Sequence, residues 1–346
     1  MKVNRESLLN KLESVRPGLS KREIVEQSSC FVFTKGRVMT FNDEIACSYD
    51  VDVKLKGAVQ AEPLLAILRK LGEQDLDITT GEGQLQWRGT RRKGGVRMEE
   101  EVILPIESVD VPDNGDWKAL PEEFSEGVSL VEKCAGKDES AFSVTCVHIY
   151  PKWVEAYDNL QVARYYMKTG VKDPILVRRN SIKHIHELGM TEVCETGAWL
   201  HFRNSAGLVL SCRRYTKNEL DPGSMLDVGK ILDFKGEPTT LPKGLADAAE
   251  KAEIFSQENS DGNLVRVELK AGKLRVTGRG VSGWYQETKD VKYTGRPLVF
   301  MVDPKLLVTI TNSHNDCQIT PTRLKVDNKK FVYVTCLGEP DSSKNE

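Results

Sequence analysis

At about 150 residues per domain, 346 residues are too many for one hydrophobic core and fit two or three. A formal net charge of −2 gives no overall field to gather nucleic acid, so any DNA contact must come from charge segregated onto one face. No run approaches the roughly 20 apolar residues of a membrane span, MKVNRESLLNKLESV lacks a signal peptide's apolar block, and the eight cysteines stand singly without a CxxC pair; the expectation is a soluble, cytoplasmic protein with reduced thiols and no bound metal.

In chain order, VNRESLLNKLESV from Val3 places Leu8, Leu12 and Val15 at helical steps and predicts an amphipathic helix. VMTFNDEIACSYDV from Val38 alternates apolar and polar residues on both sides of Asn42-Asp43, the pattern of a hairpin. VQAEPLLAILRKL, from Val59, predicts a second helix with Pro63 in its first turn, where a missing amide proton costs little. LDITTGEGQLQWRG follows as strands, and WRGTRRKGGVRM reads as a basic hairpin carrying Arg88, Arg91, Arg92, Lys93 and Arg97.

The same three features then return. LPEEFSEGVSLVEKC from Leu120 and LPKGLADAAEKAEIF from Leu241 repeat the first helix at shifts of 117 and 121 residues. VEAYDNLQVARYYM and LRVTGRGVSGWYQE repeat the hairpin at shifts of 116 and 120, with turns expected at Asp158-Asn159 and Gly278-Arg279. LVRRNSIKHIHEL and FMVDPKLLVTITN repeat the second helix, counted from Val177 and Phe300, with Asn180 and Asp303 as expected N-caps. Three unrelated features sharing nearly one pair of shifts predict an α+β chain of three tandem domains, 1–118, 119–233 and 234–338, each with two helices on one side of an antiparallel sheet; 339–346, with its EPDSSKNE composition, reads as a disordered tail.

With these repeats, and in VQAEPLLAILRKL, AYDNLQVARYYM, LVRRNSIKHI, DVKYTG and FVYVTCL, the chain resembles the bacterial sliding clamp, the beta subunit of DNA polymerase III. The resemblance implies a homodimeric ring of six domains whose helices line a hole holding duplex DNA, a processivity factor that tethers DNA polymerase, is placed on DNA by a clamp loader, needs no cofactor and catalyses nothing. Repeating the helix three times then has a physical purpose, because a ring around a helical rod needs the same inner surface at every step. A scaffold of tandem domains that binds protein partners without closing around DNA is the alternative from another class.

On that resemblance, the DNA-facing residues are Arg5, Lys11, Arg16, Arg69, Lys70, Lys137, Arg178, Arg179 and Lys183 on the helices, with Lys21 and Arg22 in the loop after the first. Such contacts go to phosphates and carry no base readout. Acidic neighbours such as Glu122, Glu123, Glu126, Asp247 and Glu253 dilute the charge in the second and third domains. Arg91, Arg92, Arg97 and Leu104 are expected to meet Ile254, Phe255, Glu287 and Asp290 of a second copy, although the basic run taken alone would read as a nucleic-acid arm. Val144, Val162, Pro222, Val334 and Cys336 fall where the family holds a partner peptide, but the chain ends CLGEPDSSKNE and departs there from the family's apolar terminus.

Two enzymatic motifs fail on context. GRGVSG is a GxGxxG that is followed by the strand-like WYQETKDV and lacks the helix needed to hold a pyrophosphate. HIHELGM starts like the zinc helix HExxH, but Met190 stands where the second histidine is required.

Overall fold

The computed structural model describes residues 1–112, 115–137, 142–216, 226–242, 244–256, 264–302 and 315–338, together with Pro304, Leu307, Val308 and Thr311. Pro222, Asp303 and the expected tail lie outside the described residues. By contact the chain separates into two compact units, Met1–Lys133 with Lys137–Val154 and Met167–Ser224, and Cys134–Gly136 with Glu155–Tyr166 and Met225–Glu346.

The first third runs Lys2–Asn4 (β1), Arg5–Ser14 (α1), Cys30–Thr34 (β2), Arg37–Phe41 (β3), Ile45–Asp50 (β4), Gly57–Gln60 (β5), Ala61–Lys70 (α2), Asp75–Gly81 (β6), Gln84–Arg88 (β7) and Lys93–Glu99 (β8). Its strands pair antiparallel in the order β1-β6-β7-β8-β5-β2-β3-β4. Asn4 caps α1 by accepting from the Ser7 amide, and Leu8 and Leu12 bury its inner face. α2 packs beside α1 and buries Leu64, Leu65 and Leu68, each worth roughly 1.5–3 kcal/mol as buried apolar surface. Pro63 is the third helical residue, still among those whose amides have no intrahelical acceptor.

The middle third runs Lys118–Ala119 (β9), Phe124–Val131 (α3), Cys146–Tyr150 (β10), Trp153–Tyr157 (β11), Gln161–Tyr166 (β12), Ile175–Arg178 (β13), Arg179–Ile182 (α4), His184–Glu187 (α5), Glu192–Glu195 (β14), Trp199–Arg203 (β15) and Val209–Thr216 (β16). The long β16 pairs with β15 along its first half and with β13 along its second. It also pairs with β4, setting Leu210 opposite Cys47, so the sheets of the first and middle thirds share one hydrogen-bonded joint. Asn180 does not cap α4: Arg178 occupies the cap position without a side-chain bond, and Asn180 is the second helical residue.

The last third runs Val228–Leu232 (α6), Glu237–Thr240 (β17), Leu245–Ser256 (α7), Val265–Lys270 (β18), Lys273–Arg279 (β19), Trp284–Asp290 (β20), Leu298–Val302 (β21), Asp316–Ile319 (β22), Arg323–Asp327 (β23) and Phe331–Cys336 (β24). One antiparallel sheet is ordered β20-β19-β18-β21. Another runs β17-β22-β23-β24 and continues onto β12, repeating the joint made by β4 and β16.

The β19–β20 turn falls at Gly280–Gly283, later than the expected Gly278-Arg279. The reason is packing. Ala248, Ala249 and Ala252 bring α7 so close to β19 that a Cβ on Gly278 would sit 1.9 Å from the Ala252 carbonyl oxygen, so Gly278 belongs to the strand as the residue that admits the helix. The whole is a mixed α+β structure of large antiparallel sheets with helices packed against them, as its sequence periodicity predicts.

Candidate nucleic-acid interface

Arg16 opens a short 3₁₀ turn, Arg16–Gly18, just after α1, and α2 ends on Arg69 and Lys70; all three cations are exposed, and the packing of α1 beside α2 brings Arg16 and Arg69 together. Glu13 organises two of them: it takes Arg16 at 3.2 Å and Arg69 at 2.5 Å, and Glu62 adds a looser contact to Arg16 at 3.6 Å. Sharing one carboxylate holds both arginines in place at the surface. Lys70, Lys21 and Arg22 are exposed and form no ion pair among the described residues.

Other residues expected at DNA are committed elsewhere. Arg5 donates to the Leu68 and Glu73 carbonyls at 2.9 and 3.0 Å, closing the C-terminal end of α2, so its side chain is structural. Lys11 sits over the Tyr49 ring and reaches Asp52 at 3.4 Å. Arg178 lies 4.6 Å over the Phe142 ring and 3.6 Å from Glu44, and Arg179 is half-buried on Glu132 at 2.8 Å. Lys183 and Lys137 remain exposed, Lys183 within 3.5 Å of the Asn180 side-chain oxygen. The solvent-facing cations thus concentrate in the α1–α2 pair and the loop after α1.

The basic hairpin forms as expected: Arg88 faces Lys93 across β7–β8 and the Gly89 amide closes the turn on Arg92. Arg91 is exposed, Arg92 approaches Glu73 at 3.8 Å and Arg97 approaches Glu99 at 3.6 Å. Leu104 is not presented at this edge. It is 3 % exposed in a core cluster with Cys30, Val32, Phe41 and Trp199, while its neighbour Ile103 is 47 % exposed. In the last third Ile254 is exposed, and Phe255 is half-buried against Gly283. Glu287 is drawn into its own unit by Tyr285, which donates to it at 2.6 Å, and by Lys289 and Lys251; the first two hold its carboxyl below the usual range. Asp290 pairs with Lys273 across the hairpin.

Among the residues expected at a partner peptide, Val162 and Val334 face each other across β12–β24 and both are buried. Cys336, the strand's last residue, is exposed, whereas the other seven cysteines are buried. Burial pushes the thiols of Cys30, Cys47, Cys146, Cys194, Cys212 and Cys317 up, Cys30 to about 11 and Cys146 to about 12, so they stay protonated and inert. Val144 is half-buried in a 3₁₀ turn, Phe142–Thr145.

Neither enzymatic motif becomes a site. GRGVSG is a strand end and hairpin turn, and His186 bonds Ser125 at 2.8 Å while Met190 is buried. In a hydrogen-bonded Thr196–His201–Ser211 chain, at 2.9 and 2.8 Å, Thr196 is half-buried while His201 and Ser211 are enclosed in the core; burial pushes His201 down to about 4. Among the described residues no cluster of three or more His, Cys, Asp or Glu is placed to hold a metal.

Neither protein-family models nor curated proteins yield a match to this chain. Solved structures do. A DNA polymerase III beta subunit from Thermotoga maritima is similar over 98 % of this chain and 99 % of its own, with a TM-score of 0.77 at 13 % identity. The Pseudomonas aeruginosa beta subunit is similar over 97 % and 99 %, at 0.75 and 14 % identity. The sliding clamp of Bartonella birtlesii reaches 0.80 at 13 % identity over 98 % and 99 %. The chain therefore has the sliding-clamp fold from end to end.

Proposed function

We propose that this chain is a DNA polymerase processivity factor: two copies close head to tail into a ring of six domains, with three domains per chain divided near residues 118 and 233, and the ring slides on duplex DNA while tethering a polymerase. It acts in the cytoplasm, is placed on DNA by a clamp loader, and catalyses nothing itself. The observation that carries this reading is the end-to-end likeness of fold. The repeated β4–β16 and β12–β24 joints support the three-domain division, since a ring wall needs one edge pairing at every step. The exposed Lys21, Arg22, Arg69 and Lys70 supply weak, salt-sensitive phosphate contacts of the kind sliding requires.

In this reading the second copy lies against the β8 edge, with Arg91, Arg92 and Arg97, and against the β20 edge beside Ile254; Ile103 replaces Leu104 as the apolar contact. The partner peptide docks near Cys336, above the buried Val162 and Val334. Electron microscopy of the purified protein, at concentrations that favour association, tests the ring directly. Six-lobed particles with a central hole are the expected result, and three-lobed open particles would transfer the function to a scaffold of tandem domains. Reversing charge at Arg91, Arg92 and Arg97 together should shift sedimentation toward the single chain. Alkylating Cys336 should lower stimulation of the polymerase.

A further inference from the structure

Gln27 stands in the polar loop between α1 and β2, yet it is 1 % exposed and adopts a φ of 62°, a left-handed conformation that side-chain-bearing residues disfavour. All of its amide's bonding capacity goes to one segment. Nε2 donates to Glu99 Oε2 at 3.0 Å and to the Glu101 carbonyl at 2.8 Å. Oε1 accepts from the Ile103 and Leu104 amides at 2.9 and 3.3 Å. Its backbone amide donates to Glu23 at 2.7 Å, and Ser20 closes the loop base by donating to the Ser28 carbonyl. Val25 packs on the Leu104 core cluster beside Val102 and Ile106. The tip between these anchors carries Lys21, Arg22 and Ile24, all exposed.

A loop that offers charge to a phosphate pays in ordering entropy unless it is held beforehand. We propose that Gln27 is a positioning residue: its fully bonded amide pins the Lys21–Arg22 tip to the segment Glu99–Leu104, presetting the two cations for duplex phosphates. The role rests on the DNA-contact reading of this loop given above. Gln27 touches no nucleic acid in this scheme and acts through the tip. A carboxylate at position 27 would face Glu99 with like charge in place of a donor, and an amide at position 99 would supply the donor that carboxylate needs.

The test measures binding of a short fluorescein-labelled linear duplex by anisotropy across a salt series, together with the rate at which trypsin cuts after Lys21 and Arg22 in the folded protein. The double variant K21A/R22A should bind about tenfold more weakly and lower the salt slope by about 2. Gln27→Gly, which accepts φ 62° without strain and removes the whole side chain with its amide, should weaken binding by several-fold while accelerating cleavage. Gln27→Glu should weaken it likewise, and Q27E/E99Q should recover part of the loss, because the amide at position 99 gives the new carboxylate a donor while the Glu101 carbonyl stays without one. Wild-type binding by Gln27→Gly, or no recovery in Q27E/E99Q, overturns the positioning role. Unchanged binding by K21A/R22A overturns it at an earlier point, by removing the loop from the DNA contact.

Discussion

The first and middle thirds of the chain spend the same kinds of residue in opposite ways. In the first, Arg16 and Arg69 share Glu13 at the surface and Lys70, Lys21 and Arg22 face solvent. In the middle third, Arg178 turns onto Phe142, Arg179 onto Glu132, and His201 is sealed between Thr196 and Ser211. A cation held by a shared carboxylate at the surface stays available to phosphate, whereas one engaged with a ring or a half-buried carboxylate holds the fold and would have to give up that partner to bind anything else. Basic residues of the first and middle thirds are therefore not equivalent sites.

The largest effect that would sharpen this contrast is on acid stability, through the middle third. Native His201 titrates at about 4 and an unfolded histidine near 6.5, so below pH 6.5 the unfolded chain takes up a proton that the folded one refuses. Stability should be unaffected by this group above pH 6.5 and fall by about 3 kcal/mol by pH 4. Denaturant melts across that range should show the loss, and His201→Gln should flatten it; equal acid sensitivity in both proteins would remove His201 from the explanation. Next comes DNA affinity: neutralising Lys21, Arg22, Arg69 and Lys70 together should reduce the salt slope by about 3 to 4. A similar reduction on neutralising Arg178 and Arg179 would break the contrast.

Arg179→Ala should instead cost about 2 kcal/mol of stability by leaving Glu132 half-buried without its partner, seen as a lower melting temperature with duplex affinity kept. The smallest expected effect is Glu13→Gln, which frees Arg16 and Arg69 from their carboxylate. Duplex affinity should rise a few-fold for about 0.5 kcal/mol or less of stability, and a fall would mean that Glu13's ordering of the arginines outweighs its charge.

Much of the fold was legible in the sequence, because helix and hairpin signals depend on residues close in the chain. Leu8 and Leu12, or the turn at Asn42-Asp43, declare themselves locally. The candidate site was less legible. Leu104 and Ile103 are adjacent apolar residues, and only the cluster around Trp199 decides that Leu104 goes inward. Glu287 looks like a free surface acid until Tyr285, Lys289 and Lys251 are placed around it. Glu13 could have been noticed three residues before Arg16, a spacing that pairs side chains on a helix, but its reach to Arg69 crosses 56 residues. Gln27 carries no sequence signal, since its partners lie more than 70 residues away.

By itself the sequence determined the α+β class, the helix and hairpin positions and the stock of basic residues, because periodicity and turn chemistry act over a few positions. Tertiary structure alone decided which of those bases remain available, since a guanidinium's neighbours are set by which distant strands and helices pack beside it. The closeness of α7 to β19 belongs to the same class: Gly278 reads as a turn residue until Ala252 is brought against it.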